Sequence, residues 1–259
     1  MKYISKAIFA LVFFFLCISA ATQLKNYTIA NAHSHNDYLS PTPFYLAFKN
    51  GFGSIEADVF PVDGILYVAH EKKQIQSQQT LQNLYLNPLL HEFASGRMRK
   101  LSLLIDIKEN YKISLPLLIN ELKQLNQYLS VPAKPNSLTI IISGNRPAPE
   151  DYKNYPDYIF FDSDPKSQHT VKEWDRVALV SLSFSRISGW KGKDNLKRKD
   201  RKALRNIIHS VHAAGKPIRF WGAPDTEISW KWQMKLRADL IGTDKIDELA
   251  NFLKNKNNN

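Results

Sequence analysis

Histidines and carboxylates are concentrated in one short part of the sequence. His33 and His35 follow the first β-like run. Glu56 and Asp58 lie in the second run, and His70 comes shortly after it. Histidine can give or take a proton near neutral pH, and a cluster of carboxylate oxygens suits a hard cation such as Mg²⁺ or Ca²⁺. Together these residue types predict an acid/base pair built around a metal, as expected of an enzyme that acts on phosphate esters.

The acidic residues have the spacing of one strand face. Glu56 and Asp58 are two residues apart in the run 54–59, so their side chains point to the same side. Asp106 and Lys108 repeat this spacing at the end of a later run. Three carboxylates with room for water and substrate oxygens make a site for Mg²⁺ or Ca²⁺, whereas zinc more often recruits nitrogen or sulfur. We therefore predict that Glu56, Asp58 and Asp106 share a site for a divalent metal.

A turn signal precedes His70. The segment Val62-Asp63-Gly64 lies between two β-like runs and predicts a hairpin. A three-residue turn would set His70 opposite Glu56, on the same face, whereas a two-residue turn would set it opposite Ala57. The sequence leaves this register open, so the hairpin supports His70 as a site residue without proving it.

The fold follows from an alternation of short β-like runs with helical segments such as 115–129 and 201–214. The β-like runs are 28–32, 54–59, 101–107, 138–142, 158–161, 177–184, 217–221 and 239–241. Such an alternation predicts an α/β fold of the (β/α)₈ TIM-barrel type, which is usually about 250 residues long. An irregular form of this barrel is compatible with the pattern. The polar residues stand at or just beyond the ends of these runs, where a barrel has its active site. An open doubly wound sheet is the weaker alternative, since no glycine-rich phosphate loop follows the first run.

The N-terminal segment resembles an export signal. A short positive region with Lys2 and Lys6 precedes an apolar stretch and the small residues that end at Ala21. We predict a signal peptide over 1–21 and a single barrel domain over 22–259, exported to the periplasm or the extracellular space; an uncleaved anchor is the alternative. Cys17 is the only cysteine. Cleavage would leave no thiol, which excludes disulfides, thiolate catalysis and cysteine-ligated zinc.

The net charge of +11 favours anionic partners. A phosphodiester substrate, either a small molecule or a lipid headgroup, fits this charge. Nucleic acid would rest on charge alone and is not expected. The basic run 191–202 has almost no aromatic residues and is interpreted as a solvated loop and helix start, with Trp190 beside it as the only hint of peripheral membrane contact. We expect a monomer.

Several motifs carry a family resemblance that spans nearly all of 22–259. They are His33-Ser34-His35-Asn36-Asp37-Tyr38, Ile55-Glu56-Ala57-Asp58-Val59-Phe60, Val68-Ala69-His70-Glu71, Asp106-Ile107-Lys108, Ile142-Ser143-Gly144-Asn145-Arg146-Pro147, Ile218-Arg219-Phe220-Trp221-Gly222 and Leu240-Ile241-Gly242-Thr243-Asp244. Together they resemble the phospholipase-C-like phosphodiesterase superfamily, which includes glycerophosphodiester phosphodiesterases and sphingomyelinase-D-type toxins. More closely, the chain is similar to the "altered inheritance of mitochondria" family and its bacterial relatives.

The resemblance implies an irregular TIM barrel with a divalent metal. It also implies His33 and His70 as the catalytic pair and the three carboxylates as metal ligands. The chain departs from glycerophosphodiesterases after the first strand, where Ser34 and His35 replace the arginine and glycine of a His-Arg-Gly motif. This departure argues against a glycerophosphodiester substrate.

Further polar residues are candidates for substrate binding, with His35 either a neighbour of His33 or its replacement. These candidates are Lys108, His35, Asn36, Asn145, Arg146 and Trp221. Asp162 and Asp244 are interpreted as caps of the helices that follow their strands. The predicted function is an exported, metal-dependent phosphoric diester hydrolase acting on a phospholipid-derived or other small phosphodiester. The alternatives are a lyase that forms a cyclic phosphate, and an inactive barrel that binds phospholipid headgroups or an envelope partner.

Overall fold

The computed structural model of the protein describes residues 26–256. The segment 1–21, predicted as a signal peptide, lies outside the described residues. Within 26–256, no helix combines the length and apolar character needed to cross a bilayer.

Eight parallel strands form a nearly closed barrel, and a ninth strand is added as a hairpin. The neighbours run in the order β8-β7-β6-β5-β4-β2-β1-β9, with β3 antiparallel to β2. A bridge between Arg219 and Leu240 joins the two ends of this order. The strands are β1 (Ala32–Ser34), β2 (Ser54–Val62), β3 (Ile65–Val68), β4 (Leu101–Ile107), β5 (Leu138–Gly144), β6 (Ile159–Ser163), β7 (Val177–Ser183), β8 (Ile218–Trp221) and β9 (Ile241–Thr243). The predicted (β/α)₈ barrel is confirmed.

The helices between the strands are uneven, which makes the barrel irregular. They are α1 (Tyr45–Asn50), α2 (Asn87–Ala94), α3 (Tyr111–Glu121), α4 (Val171–Asp175), α5 (Arg198–Ala213), α6 (Glu227–Leu236) and α7 (Ile246–Lys256). Between β5 and β6 there is only a 3₁₀ helix, Pro149–Asn154. The buried Arg176 guanidinium stabilises this connection, because it donates to the backbone carbonyls of Tyr152, Tyr155, Pro156 and Ile159.

Strand alternation separates two apolar regions. Leu103, Ile105 and Ile107 of β4 belong to the large core between the strands and the helices. Leu104, between them, packs instead with Ile141 of β5 in a small separate cluster inside the barrel. Asp106 shares the inward face of Leu104 and is one step closer to the carboxyl end of the strand. The polar site is therefore supported from below by an apolar layer of side chains.

The first and last strands lie slightly later in the chain than predicted. The first was expected over 28–32, but Thr28 caps a 3₁₀ helix, Ile29–Asn31, so β1 begins only at Ala32. The last was expected over 239–241. Asp239 instead accepts a hydrogen bond from the Ile218 backbone N–H, and β9 starts at Ile241. A local side-chain hydrogen bond outweighs β propensity at Thr28, whereas the bond at Asp239 joins residues 21 positions apart.

Two helix predictions also change at their ends. The segment predicted as helix over 115–129 begins earlier, at Tyr111, and continues after Glu121 as a 3₁₀ helix, Leu122–Tyr128. The helix predicted over 201–214 is α5, which starts at Arg198. Neither change affects the position of the polar site.

The hairpin β2–β3 has a two-residue turn at Asp63 and Gly64, both with positive φ. Val59 pairs with Val68 and Val62 with Ile65. This register would set His70 opposite Ala57, which is the second of the two alternatives. β3 ends at Val68, however, so His70 lies beyond the ladder and its ring reaches Asp58.

Candidate active site

A cavity of about 480 Å³ opens at the carboxyl ends of the barrel strands. The three predicted metal ligands line it together with Lys108 and His70. A smaller cavity of about 110 Å³ lies beside it and is lined by His33. His35 and Trp221 line both cavities. Motifs that are far apart in the sequence therefore meet at the carboxyl end of the barrel.

Glu56, Asp58 and Asp106 each offer a carboxylate oxygen within 4.8 Å of the others. Asp58 stands directly opposite Asp106 in the parallel pair β2–β4, and Glu56 shares its face two residues earlier. Among the described residues, hydrogen bonds and ion pairs to these carboxylates fall on Glu56 Oε2, Asp58 Oδ2 and Asp106 Oδ2. A second oxygen of each group is left for a ligand. Three hard oxygen donors of this kind fit Mg²⁺ or Ca²⁺.

Lys108 bridges two of the carboxylates. Its Nζ lies 2.8 Å from Asp58 Oδ2 and 2.5 Å from Asp106 Oδ2. Burial alone would lower the pKa of Lys108, but the two carboxylates outweigh it and raise the pKa. Burial also raises the pKa of Asp58, although Lys108 opposes this effect. The site therefore carries a fixed ammonium group beside its acids.

His33 is sealed inside the barrel, with 1% of its surface exposed. Its Nδ1 lies 2.7 Å from Ser54 Oγ, and its Nε2 lies 2.7 Å from Glu56 Oε2. Burial lowers the pKa of His33 to about 4, with the Arg219 charge as a further cause. At neutral pH the ring is therefore uncharged and links Ser54 to Glu56.

Arg219 is a site residue that sequence reasoning missed. Its Nη1 donates to Glu56 Oε2 at 2.6 Å and contacts the His33 ring, while its Nε donates to Ser181 Oγ at 2.9 Å. Burial alone would raise the pKa of Glu56, but the Arg219 guanidinium holds it well below its usual range. The available signal was an arginine between two apolar residues of a strand, on the same face as Trp221.

His35 makes the connection between the first strand and the segment after the last. Its Nδ1 lies 2.8 Å from Asp244 Oδ1, and Asn36 Nδ2 donates to the same oxygen at 3.3 Å. Burial alone would lower the pKa of His35, but the hydrogen bond to Asp244 raises it. Asp244, interpreted from the sequence as a helix cap, is thus a partner of the two residues that follow β1.

Tyr38 is a second missed residue, and it lies between Asn36 and the acid cluster. Its hydroxyl is 2.8 Å from Asp58 Oδ2, 2.9 Å from Asn36 Oδ1 and 3.4 Å from His70 Nδ1. His70 Nδ1 is itself 3.5 Å from Asp58 Oδ2. The signal for Tyr38 was its place at the end of the His33 motif. The Tyr38 hydroxyl fixes the position of Asp58 relative to His70.

The remaining predicted substrate-binding residues divide into two groups. Arg146 and Trp221 line the large cavity, and half of the Trp221 surface is exposed. Asn145 lies away from it, because its Oδ1 accepts a hydrogen bond from the Tyr111 backbone N–H at the start of α3. Asn36 forms hydrogen bonds with Asp244 and Tyr38, behind the residues that line the cavity.

Asp162 does not cap a helix, contrary to the sequence interpretation. It lies in β6, is 4% exposed, and accepts hydrogen bonds from Ser143 Oγ and from the Ser163 backbone N–H. Burial raises its pKa to about 6. The residue lies on the inward face of the barrel, so its charge is buried within the wall of the large cavity.

Gly144 supports Asp106 through the absence of a side chain. Its φ is +67°, a conformation that favours glycine. A Cβ at this position would collide with Asp106 Oδ1 and with the Ile107 carbonyl oxygen. The carboxylate therefore keeps its position because Gly144 leaves room for it.

Comparison with known proteins finds the same family similarity that the motifs indicate. A sequence model of the AIM6-like phosphodiesterase domain matches residues 22–100. The chain is 28% identical over 246 residues to an altered inheritance of mitochondria protein 6 homolog of Arthroderma benhamiae, covering 82% of this chain and 76% of that protein. It is 27% identical over 302 residues to altered inheritance of mitochondria protein 6 of Kluyveromyces lactis, covering 86% and 72%. The resemblance predicted from the sequence is confirmed.

The AIM6-like similarity is accompanied by a likeness of fold. A glycerophosphodiester phosphodiesterase from Parabacteroides distasonis superposes with a TM-score of 0.59 at 13% identity. The match covers 88% of this chain and 98% of that structure. At this identity the likeness concerns the barrel. The AIM6-like sequence match covers β1, β2 and β3, and so includes both Glu56 and Asp58.

Proposed function

We propose that this protein is a metal-dependent phosphoric diester hydrolase. The observation that carries the proposal is the cluster of Glu56, Asp58 and Asp106, each with a carboxylate oxygen left for a ligand, in one cavity with Lys108 and His70. The AIM6-like phosphodiesterase match over residues 22–100 supports the same reaction class. A binding module has no need for a proton-transfer group beside such a cluster.

The three carboxylates would hold a divalent ion such as Mg²⁺ or Ca²⁺. When bound, the ion supplies charge that offsets the negative charge gathering on the phosphate oxygens. Lys108 adds a positive charge at the same place and orients the phosphate. His70 is 54% exposed and can take a proton from the attacking oxygen, with Asp58 and Tyr38 holding its ring. A second histidine protonates the leaving oxygen.

The substrate proposal is a phospholipid-derived or other small phosphodiester. The net charge of +11 and the cationic side chains at the cavity favour an anion. If water attacks, the product is a monoester; if a substrate hydroxyl attacks, a cyclic phosphate forms first. Export by the segment 1–21, peripheral membrane contact near Trp190 and a monomeric state belong to the same proposal.

The test is turnover of a panel of phosphodiesters by the purified protein, with products identified by phosphorus NMR. Activity with Mg²⁺ or Ca²⁺ that is lost in EDTA is expected. His70→Asn and Asp106→Asn should each abolish turnover, whereas His91→Asn, on the exposed surface of α2, should leave it unchanged. Full activity in EDTA would contradict the metal. Tight, metal-dependent headgroup binding without turnover would instead support the inactive barrel.

A further inference from the structure

The three histidines of the site differ in their access to substrate. His33 is 1% exposed, and both of its ring nitrogens are engaged, by Ser54 and by Glu56. The side chains of His35 and His70 are 39% and 54% exposed. Only these two of the three line the large cavity that also holds the carboxylates. A proton donor must reach the substrate oxygen directly or through one water.

The ring of His35 is held through one of its two nitrogens. Nδ1 is bonded to Asp244, which fixes the ring and favours its protonated form. Among the hydrogen bonds within 26–256, none is made to His35 Nε2, so this nitrogen is left for substrate. Asp244 is held in turn by Asn36 Nδ2 and by its own backbone N–H, which donates to Asp225.

His35 and His70 are connected through the wall of the site. Asn36 joins Asp244 to the Tyr38 hydroxyl, and Tyr38 lies within 3.4 Å of His70 Nδ1. Each histidine thus has a carboxylate partner behind its ring, Asp244 in one case and Asp58 in the other. This arrangement gives two supported proton carriers that share one cavity.

We propose that His35, and not His33, protonates the leaving alcohol, while His33 positions Glu56. The assignment rests on the proposed function and names the second histidine of that reaction. His33 becomes a positioning residue, because its Nε2 lies 2.7 Å from Glu56 Oε2 and only 1% of its surface is exposed.

The proton balance of the step is complete. The attacking water forms a new P–O bond and passes one of its protons to His70. The P–O bond to the leaving alcohol breaks, and its electron pair goes to the leaving oxygen. That oxygen takes the proton from His35 Nε2, so an alcohol departs. Exchange with solvent then returns a proton to His35 and removes one from His70. The net reaction consumes one water and one diester and gives one monoester and one alcohol.

The experiment uses methyl aryl phosphates whose phenols range from nitrophenol to unsubstituted phenol. A nitrophenolate leaves without a proton, whereas phenolate gains from one. His35→Gln should slow the phenyl ester by about 10²- to 10⁴-fold, the usual contribution of a general acid, and slow the nitrophenyl ester far less. Asp244→Asn should show the same selectivity to a smaller degree. His209→Gln, on the exposed face of α5, is the matched control.

His33→Gln gives the contrasting result. It should slow all esters by a similar factor and should weaken Mg²⁺ binding measured by calorimetry, because Glu56 loses its support. Equal losses across the series in His35→Gln and in Asp244→Asn would overturn the assignment while leaving the hydrolase intact. Selectivity for poor leaving groups in His33→Gln would overturn it as well. No turnover of any phosphodiester by the unmodified protein would overturn the hydrolase and the assignment together.

Discussion

Asp58 and Asp106 stand directly opposite each other in the register of the parallel strands β2 and β4. Two neighbouring carboxylates repel one another unless a cation lies between them. Lys108 provides such a cation, since its Nζ contacts both groups. A divalent ion would therefore share this pair with an ammonium group that belongs to the chain.

Replacing Lys108 should separate metal binding from catalysis. In Lys108→Met the carboxylates lose a competing cation, so Mg²⁺ affinity should rise by about tenfold, which corresponds to about 1.4 kcal/mol. Turnover should fall by about 10²-fold, since a positive charge at the phosphate is lost. Calorimetry with Mg²⁺ and a kcat measurement check both effects. Lys231→Met, at a surface ion pair of α6, should change neither; weaker Mg²⁺ binding in Lys108→Met would contradict the competition.

Gly144→Ala should damage the site at a distance from the chemistry. The new Cβ would displace the Asp106 carboxylate, so Mg²⁺ affinity and turnover should both fall by at least about tenfold. Positive φ alone costs about 1 kcal/mol for alanine, and that cost must be separated from the collision. Gly215→Ala is the control, because Gly215 has φ +72° with open space around it. Gly144→Ala should be the more destabilised of the two in urea unfolding, because its Cβ also meets the Ile107 carbonyl oxygen, and only Gly144→Ala should lose Mg²⁺ affinity.

Asp162 makes stability depend on pH with a defined sign. Burial raises its folded pKa from 3.8 to about 6, so the folded state binds the proton more tightly than the unfolded chain. The contribution of Asp162 to the free energy of unfolding is therefore greatest below pH 3.8 and is lost as pH rises through about 6. Asp162→Asn should be more stable than the unmodified protein at pH 8, by up to about 3 kcal/mol, and equal to it near pH 4. Urea unfolding at both pH values measures the difference, and equal stability at pH 8 would contradict it.

Arg176 should matter for stability more than an exposed arginine would, because it is buried. Its guanidinium binds four backbone carbonyls in the connection between β5 and β6, where a 3₁₀ helix replaces the usual α-helix. Arg176→Met leaves those carbonyls without their donor, and we expect a loss of about 2–4 kcal/mol in the free energy of unfolding. Arg205→Met, on the exposed side of α5, should cost less than about 0.5 kcal/mol. A similar cost for both variants would contradict this role.

The parts of the fold and site that could be predicted from the sequence are those with local patterns. Strand β4 coincides with its predicted run over 101–107, which is apolar except at Ser102 and Asp106. β1 begins later than predicted, because the side chain of Thr28 caps a 3₁₀ helix that precedes the strand. A single side chain therefore decides where this strand begins. The acid cluster was predictable from the i, i+2 spacing, which strand geometry converts into a shared face.

Contacts between distant segments could not be predicted in the same way. Arg219 and Glu56 are 163 residues apart, and nothing in either local pattern selects the other as its partner. The order of access among His33, His35 and His70 also depends on tertiary burial, since all three lie in a strand or within two residues of its end. The turn at Asp63 and Gly64 was recognised, but its two-residue length became known only from the pairing of Val62 with Ile65.

The bond between His35 and Asp244 joins residues 209 positions apart, and β1 has β2 on one side and β9 on the other. During synthesis, a growing chain therefore acquires its three acids long before His35 can find its partner. We expect a nascent chain that stops before β9 to lack the Asp244 support of His35 even if its carboxylates are already together. Barrel closure would thus complete the proposed site, and only molecules whose translation has passed Asp244 would contain it.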